Sequence, residues 1–449
     1  MVLYIESQNI PQIVLFLVVL CLIIIFLYIK LSYPFWNVQP VYHVYDFWRG
    51  FYRRPFRIHP RFHPKIKTKY TKPDLVTTIP FVDCSLEDKK AFVNLVQCYT
   101  ILNEDVLYMF HLENLDAYFG GHMNASYLSF YKDIFYTVKK EKLDGDGAGA
   151  GAGDVSPGEE ETTIVREMIP RGCISSRSGV LSIGVGGSGA GAFGAHREPI
   201  YYIDFMTTVR GLPNDVAIHR EMFDTHMYNV GLAEWQENLL SKEVSRMGIV
   251  GLFKRVGVEL AGIVPFMKFT RRDYEIPNNP GYLNGVRYPE HVVLVEICGT
   301  NIRKMTDGLE KGLVKFDIYG HTDIANMIGL VKAGVFYVYV LERLGEVLAM
   351  YFFRDTRIQI DSGGCVLELA GSIYIGGSVE LFREGFKGAV GDVIKKNSVY
   401  RRLCIEDISD NGGLDMVEWY YLGEEKGAYY LFNYVSPTLG LSHRAFFMF

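Results

Sequence analysis

The eight residues Tyr202-Ile203-Asp204-Phe205-Met206-Thr207-Thr208-Val209 decide how this chain is read. They belong to a run from Pro199 rich in aromatic and β-branched side chains, the composition of a strand. Arg210-Gly211-Leu212-Pro213-Asn214-Asp215 follows, and its glycine, proline and asparagine mark a turn. From about Val216 to Val230 the residues then suit a helix. Strand, turn and helix in that order open an αβ series, so the expected fold class is α/β.

A second series starts near Val292. It contains a helix over about Asp323 to Ala333, then strands Val335 to Glu342 and Val347 to Phe353, with Gly345 in a hairpin-like turn. Tyr429 to Val435 reads as a strand near the end of the sequence. Upstream, Leu86 to Leu102 has helical periodicity after Ser85, and Asp88 supplies the acid of a capping box. Two low-complexity inserts, 144–157 (DGDGAGAGAGDVSP) and 184–195 (GVGGSGAGAFGA), bracket a short strand-like stretch near Ile164 to Ile183. The second insert contains Gly184-x-Gly186-x-x-Gly189, but no helix follows and no acid stands at ribose-binding distance, so it reads as a loop. A loop-rich join near 275–290, with Pro277, Asn278, Asn279, Pro280 and Gly281, separates two αβ halves.

Composition sets outer limits. With 49% apolar and 22% charged residues over 449 positions, global disorder is excluded. Residues 49 to 72 carry nine Lys/Arg and no acid, leaving 37 basic against 51 acidic side chains elsewhere. That mildly acidic body argues against a nucleic-acid binder. Seven scattered cysteines without CxxC spacing indicate neither a zinc site nor a disulfide framework, and no metal is expected. His219 and His226, seven apart on one expected helix, read as structural, and Arg271-Arg272-Asp273 reads as a surface charge cluster.

Ile13 to Ile29 is 17 residues without a charge, close to the length that spans a bilayer. No basic residue precedes it and no small-residue cleavage site follows, so an uncleaved anchor is expected rather than a signal peptide. Lys30 and the nine basic residues of 49–72 all lie after it, which places the N-terminus outside and the body in the cytosol. The basic neck also suits contact with anionic membrane lipid. The sequon Asn124-Ala125-Ser126 is then expected to stay unmodified. The expected organisation is an extracytosolic 1–12, a membrane helix 13–31, an aromatic segment and basic neck 32–73, and halves 74–280 and 281–449.

Tyr33-Pro34-Phe35-Trp36-Asn37-Val38-Gln39-Pro40-Val41 resembles the aromatic Gln-Pro-Val segment of the eukaryotic N-myristoyltransferases. Other stretches follow in that family's order. They are Leu102-Asn103-Glu104-Asp105, the Tyr202–Val209 strand, Val216-Ala217, Leu422-Gly423-Glu424, Tyr429-Tyr430-Leu431-Phe432-Asn433-Tyr434 and Ser436-Pro437-Thr438-Leu439-Gly440. The resemblance spans about Tyr33 to Phe449 and implies two tandem GNAT-like acyltransferase domains, the first binding acyl-CoA and the second shaping a peptide groove.

It also implies transfer of a fatty acyl group from acyl-CoA, myristoyl-CoA or a relative, to the N-terminal glycine amine of a peptide or protein. Acyl-CoA is then a co-substrate, with no further cofactor. Backbone N–H donors matching Phe205 and Met206 would hold the oxyanion, and a terminal carboxylate on Phe449 would take the proton of the attacking amine. Tyr33, Phe35, Trp36, Arg210, Val216 and Ala217 match acyl-CoA-binding positions.

Two departures stand out. The phosphate-gripping turn keeps only Arg210 and gains Asp215, with Arg220 a turn further on as a substitute. The stretch from Val314 to Val335 is shorter than the family's peptide-groove region. These departures motivate the alternative of an inactive adaptor that keeps the fold. An acetyl-CoA enzyme is a third possibility.

Overall fold

The computed structural model describes residues 10–46, 48, 55–99, 106–142, 160–184, 196–209, 212, 215–240, 247–257, 259–277, 286–360, 363–414, 416, 419–436 and 441–449. Arg210, Leu102-Asn103-Glu104-Asp105, the 144–157 insert, nearly all of 184–195, Pro437 to Gly440 and most of the expected join lie outside them. Helix α1 (Ile10–Ser32) is apolar on every side. Its most apolar 18-residue window has a mean hydropathy of 3.2, and none of that window is buried. By length and composition it can cross a membrane. It is joined to the aromatic segment without slack. Asn37 Nδ2 donates to Lys30 O at 2.6 Å, and Phe26 meets Tyr45 edge-on at 5.1 Å.

The body contains α2 (Leu86–Tyr99), β1 (Tyr127–Lys142), β2 (Glu160–Ile183), β3 (His196–Thr208), α3 (Asp215–Leu240), β4 (Gly251–Val256), β5 (Met267–Glu275) and β6 (Val292–Glu296). Next come β7 (Ile318–Thr322), α4 (Ile324–Lys332), β8 (Phe336–Arg343), β9 (Glu346–Ile360), β10 (Cys365–Tyr374), β11 (Tyr400–Glu406), β12 (Tyr420–Phe432) and β13 (Ala445–Met448). One 15-stranded sheet runs through both halves, its main path β13-β7-β2-β3-β4-β12-β5-β11-β10-β9-β8-β6. The fold is therefore α/β, as the sequence implies.

Local chemistry explains several elements. Ser85 and Asp88 form the expected capping box: the Asp88 N–H donates to Ser85 Oγ, and Asp88 Oδ2 accepts from the Ser85 N–H, both at 3.1 Å. Leu344 and Gly345 both have positive φ, which is what a two-residue hairpin between β8 and β9 requires. The stretch near Ile164 to Ile183 is longer than expected. Its 24 residues form one strand because β1 pairs with it from Tyr127↔Ser176 to Lys142↔Glu160. The neck is also more than a charge signal. Arg57 Nη1 donates to Gly248 O at 2.9 Å, and its Nε donates to the buried Glu198 at 2.6 Å.

Asn433 explains its place in the aromatic motif. Its φ is +58°, and its side chain accepts from His59 N at 2.6 Å while donating to His59 O and Ile249 O at 3.0 and 2.9 Å. Asparagine tolerates that backbone and satisfies three main-chain groups at once. Asn433→Ala is expected to cost about 2–4 kcal/mol. The measurement is the urea midpoint, and an unchanged midpoint would remove Asn433 from this role.

Candidate active site

The site begins where two parallel strands part. β3 and β4 pair only over Tyr201↔Gly251, Tyr202↔Leu252 and Ile203↔Phe253, although both continue further. Asp204 to Thr208 and Lys254 to Val256 therefore border a gap instead of each other. A cavity of about 690 Å³ lies there, bordered by both strands, the first turns of α3 and the aromatic segment. A crevice at the carboxyl ends of diverging parallel strands is a usual place for ligands in α/β folds.

On the β2 side, β3 carries a bulge. Thr207 pairs with Cys173 and Asp204 with Ser175, so Phe205 and Met206 together oppose one residue, Ile174. Phe205 has φ +50°, a left-handed conformation costing a non-glycine residue roughly 1–2 kcal/mol. Its ring holds it there, packed against Phe110 at 5.1 Å, Phe92 at 5.8 Å and Tyr118 at 5.9 Å. The Phe205 N–H is already engaged: Asp204 Oδ1 accepts it at 2.9 Å, while Asp204 Oδ2 accepts from Arg177 Nη2 at 3.2 Å. Met206 lines the cavity with a half-exposed side chain.

The aromatic segment forms the opposite wall. Phe35 is buried, and Trp36 stacks on Phe253 at 6.0 Å and meets Phe223 edge-on at 5.8 Å. Gln39 accounts for the placement, donating to the buried Asp224 at 2.7 Å, beside Thr68 and Thr71 at 3.0 and 2.6 Å. Tyr33 is half-buried and lies outside the cavity lining. Val216 lines the cavity at the start of α3, and Ala217 next to it is exposed. Asp215 Oδ1 accepts the Val216 N–H at 2.6 Å, so the chain's own carboxylate occupies this end of the helix.

The floor is a buried charge network that the sequence does not announce. Glu368 accepts from Arg354 Nε at 2.6 Å and faces Lys254 at 3.5 Å; Lys254 also pairs with Glu406. Arg271 joins from β5, bonded to Asp273 at 3.0 Å and to Cys404 Sγ at 2.9 Å. It belongs to the cavity wall and not to the surface cluster expected, because β-pairing turns it toward β11. Burial alone would raise the Glu368 carboxyl, but Arg354, then Lys254 and Arg271, outweigh it and hold it at about 2. Phe449 arrives from β13, stacked on Tyr202 at 4.8 Å, with its main-chain oxygen 3.5 Å from Arg354 Nη1. Phe205, Met206, Phe35, Trp36 and Val216 thus share one cavity, and Arg354 connects Phe449 to it.

His226 is buried and its imidazole is pushed down to about 3 by that burial, with Ser129 Oγ 2.7 Å from Nδ1. His219 lines the cavity, its Nδ1 2.8 Å from Asp215 O. Among the described residues no cluster suited to a metal ion appears.

No protein-family model matches the sequence, and no curated protein does either. Solved structures do. A Saccharomyces cerevisiae N-myristoyltransferase with bound myristoyl-CoA matches with a TM-score of 0.60 at 11% identity, covering 90% of this chain and 93% of its own. A second structure of that enzyme with myristoyl-CoA gives 0.59 at 12% identity, with 92% of each chain covered. A third, with myristoyl-CoA and inhibitors, gives 0.58 at 12% identity, covering 91% of this chain and 93% of its own. This chain has the fold of those N-myristoyltransferases.

The Glu368 network yields a test of sign. Its pKa is lowered in the folded state, so its stabilisation is complete above the unfolded value near 4.5 and is lost as pH falls toward 2. The stability gap between wild type and Glu368→Gln should therefore shrink between pH 4.5 and 2 in urea titrations. A gap constant across that window would mean that Glu368 is not held ionised.

Proposed function

We propose that the protein is an acyl-CoA-dependent N-acyltransferase that moves a fatty acyl group, myristoyl or a close relative, to an N-terminal glycine amine. The observation that carries this reading is the bulge at Phe205-Met206 facing the β3–β4 gap, with the aromatic segment and Phe449 brought to the same place. In this reading the acyl chain and pantetheine arm occupy the gap. The thioester carbonyl lies at the bulge, where a backbone donor stabilises the developing oxyanion by about 2.7–4 kcal/mol; the Phe205 N–H contributes once it exchanges Asp204 Oδ1 for the oxyanion.

The attacking ammonium loses its proton to a carboxylate on Phe449; its nitrogen bonds to the thioester carbon, the carbon–sulfur bond breaks, and the CoA thiolate that leaves takes up the proton. The carboxylate is a weak base with a free pKa of about 3.3–3.7, so the transfer depends on a closed, dry site. Arg354 beside Phe449 orients that carboxylate. α1 anchors the body to a membrane, with the basic neck on its cytosolic side.

A second reading has its own observation. Both seats that this chemistry reserves for negative charge hold aspartates of the chain: Asp204 on the Phe205 N–H and Asp215 on the helix start. A non-enzymatic adaptor with this fold would have no reason to keep either seat open.

Three measurements on the full chain in detergent separate the readings. Myristoyl-CoA should raise the melting temperature in a saturable way, as binding to the folded state requires. Glycine-peptide turnover should disappear when one residue is added after Phe449, while binding persists; full activity in that variant would sink the carboxylate base. Asp204→Asn removes a negative charge beside the oxyanion and should raise turnover by about tenfold. Absence of turnover in both wild type and Asp204→Asn, despite folded protein, would favour the adaptor.

A further inference from the structure

Cations around the cavity fall into two classes. Lys254 and Arg354 face Glu368, Arg271 faces Asp273, and Arg177 faces Asp204. Arg220 and Arg255 also line the cavity, yet neither side chain has an ion-pair or hydrogen-bond partner among the described residues. The topology puts these two side by side. β3 and β4 are parallel and α3 runs back between them, so the first turns of α3 and the carboxyl ends of both strands share one edge. Phe223 of α3 and Phe253 of β4 touch edge-on at 5.6 Å. Arg220 lies one helical turn before Phe223, and Arg255 lies two residues after Phe253 on the same strand face. Both arginines therefore flank that aromatic contact on the side where the strands have parted.

An anion reaching this edge meets Asp215 at the helix start and is repelled there. Two guanidinium groups with no side-chain partner among the described residues, a turn further in, give it an alternative. We propose that Arg220 and Arg255 together seat the phosphate groups of the acyl donor, in place of a basic turn of which this sequence keeps only Arg210. Planar guanidinium groups bind phosphate oxygens in pairs, so two of them suffice for a diphosphate or a nucleotide monophosphate. The proposal rests on the acyl-CoA reading for the identity of the ligand, and on Arg220 and Arg255 alone for its place.

The experiment uses the full chain in detergent and two separate probes: adenosine 3′,5′-bisphosphate, the phosphate-bearing tail of CoA, and myristoyl-pantetheine, which has no phosphate. Wild type should bind the bisphosphate, with affinity falling as salt rises. Arg220→Ala and Arg255→Ala should each weaken that binding by about tenfold. Arg220→Lys should recover part of it, and myristoyl-pantetheine binding should be the same in every variant. Equal bisphosphate binding in wild type and the double alanine variant would overturn the seat, as would no binding to wild type. Myristoyl-pantetheine reports the other reading independently. If it fails to bind wild type while the arginines still govern the bisphosphate, the seat stands and the acyl-donor reading falls. Melting curves verify the fold of each variant, and Arg255→Gln serves where alanine perturbs it.

Discussion

Everything at the site depends on one sheet pairing that stops early. After Ile203↔Phe253 the two parallel strands no longer share hydrogen bonds, and each must find other partners for its main chain. β3 turns to β2 and takes on a bulge; β4 turns to β12, which pairs with it from Gly427↔Val256 to Phe432↔Gly251. The outer edges of both strands stay paired throughout, so beyond Phe253 their inner-edge main-chain groups face the gap. Aromatic rings from three parts of the chain, Phe35 and Trp36, Phe223 and Phe253, then line it where hydrogen bonds are missing.

The walls of the gap differ in how they are held. The aromatic wall is fixed by burial and by one polar anchor, Asp224, which collects Gln39, Thr68 and Thr71. The floor is fixed by charge, with Lys254, Arg354 and Arg271 around Glu368. Burying several ions costs desolvation that only near-complete pairing offsets, and removing one partner leaves its neighbours uncompensated. The floor is therefore held on every side, and the arginines without a side-chain partner among the described residues lie at the mouth.

How much of this is legible in the sequence depends on distance along the chain. The strand from Pro199, the helix after Asp215, the Ser85–Asp88 cap and the Leu344-Gly345 hairpin all rest on neighbours within a few residues, and each is readable. The full length of β2 is not, because it is set by pairing with β1 and not by its own composition. Nor is the charged floor. Lys254, Arg271, Arg354, Glu368, Cys404 and Glu406 come from five strands, and no local pattern distinguishes them from surface charge. The bulge itself has no local signal either, since a phenylalanine at positive φ runs against propensity and is held by rings brought from α2 and beyond. Asp204 and Asp215 are visible as letters; that each takes a main-chain N–H is not.

The short coupling between α1 and the aromatic wall has a consequence for kinetics. Only two residues separate Ser32 from Phe35, and Asn37 and Tyr45 hold the helix end in place, so there is no flexible tether for the body to swing on. With α1 in a bilayer, as proposed, the cavity stays within a few nanometres of the lipid surface. Encounters with an acceptor on the same membrane then become a search in two dimensions, governed by surface density and effective concentration instead of bulk concentration. A soluble acceptor gains nothing from that arrangement. Selection among acceptors then arises from where the chain is held.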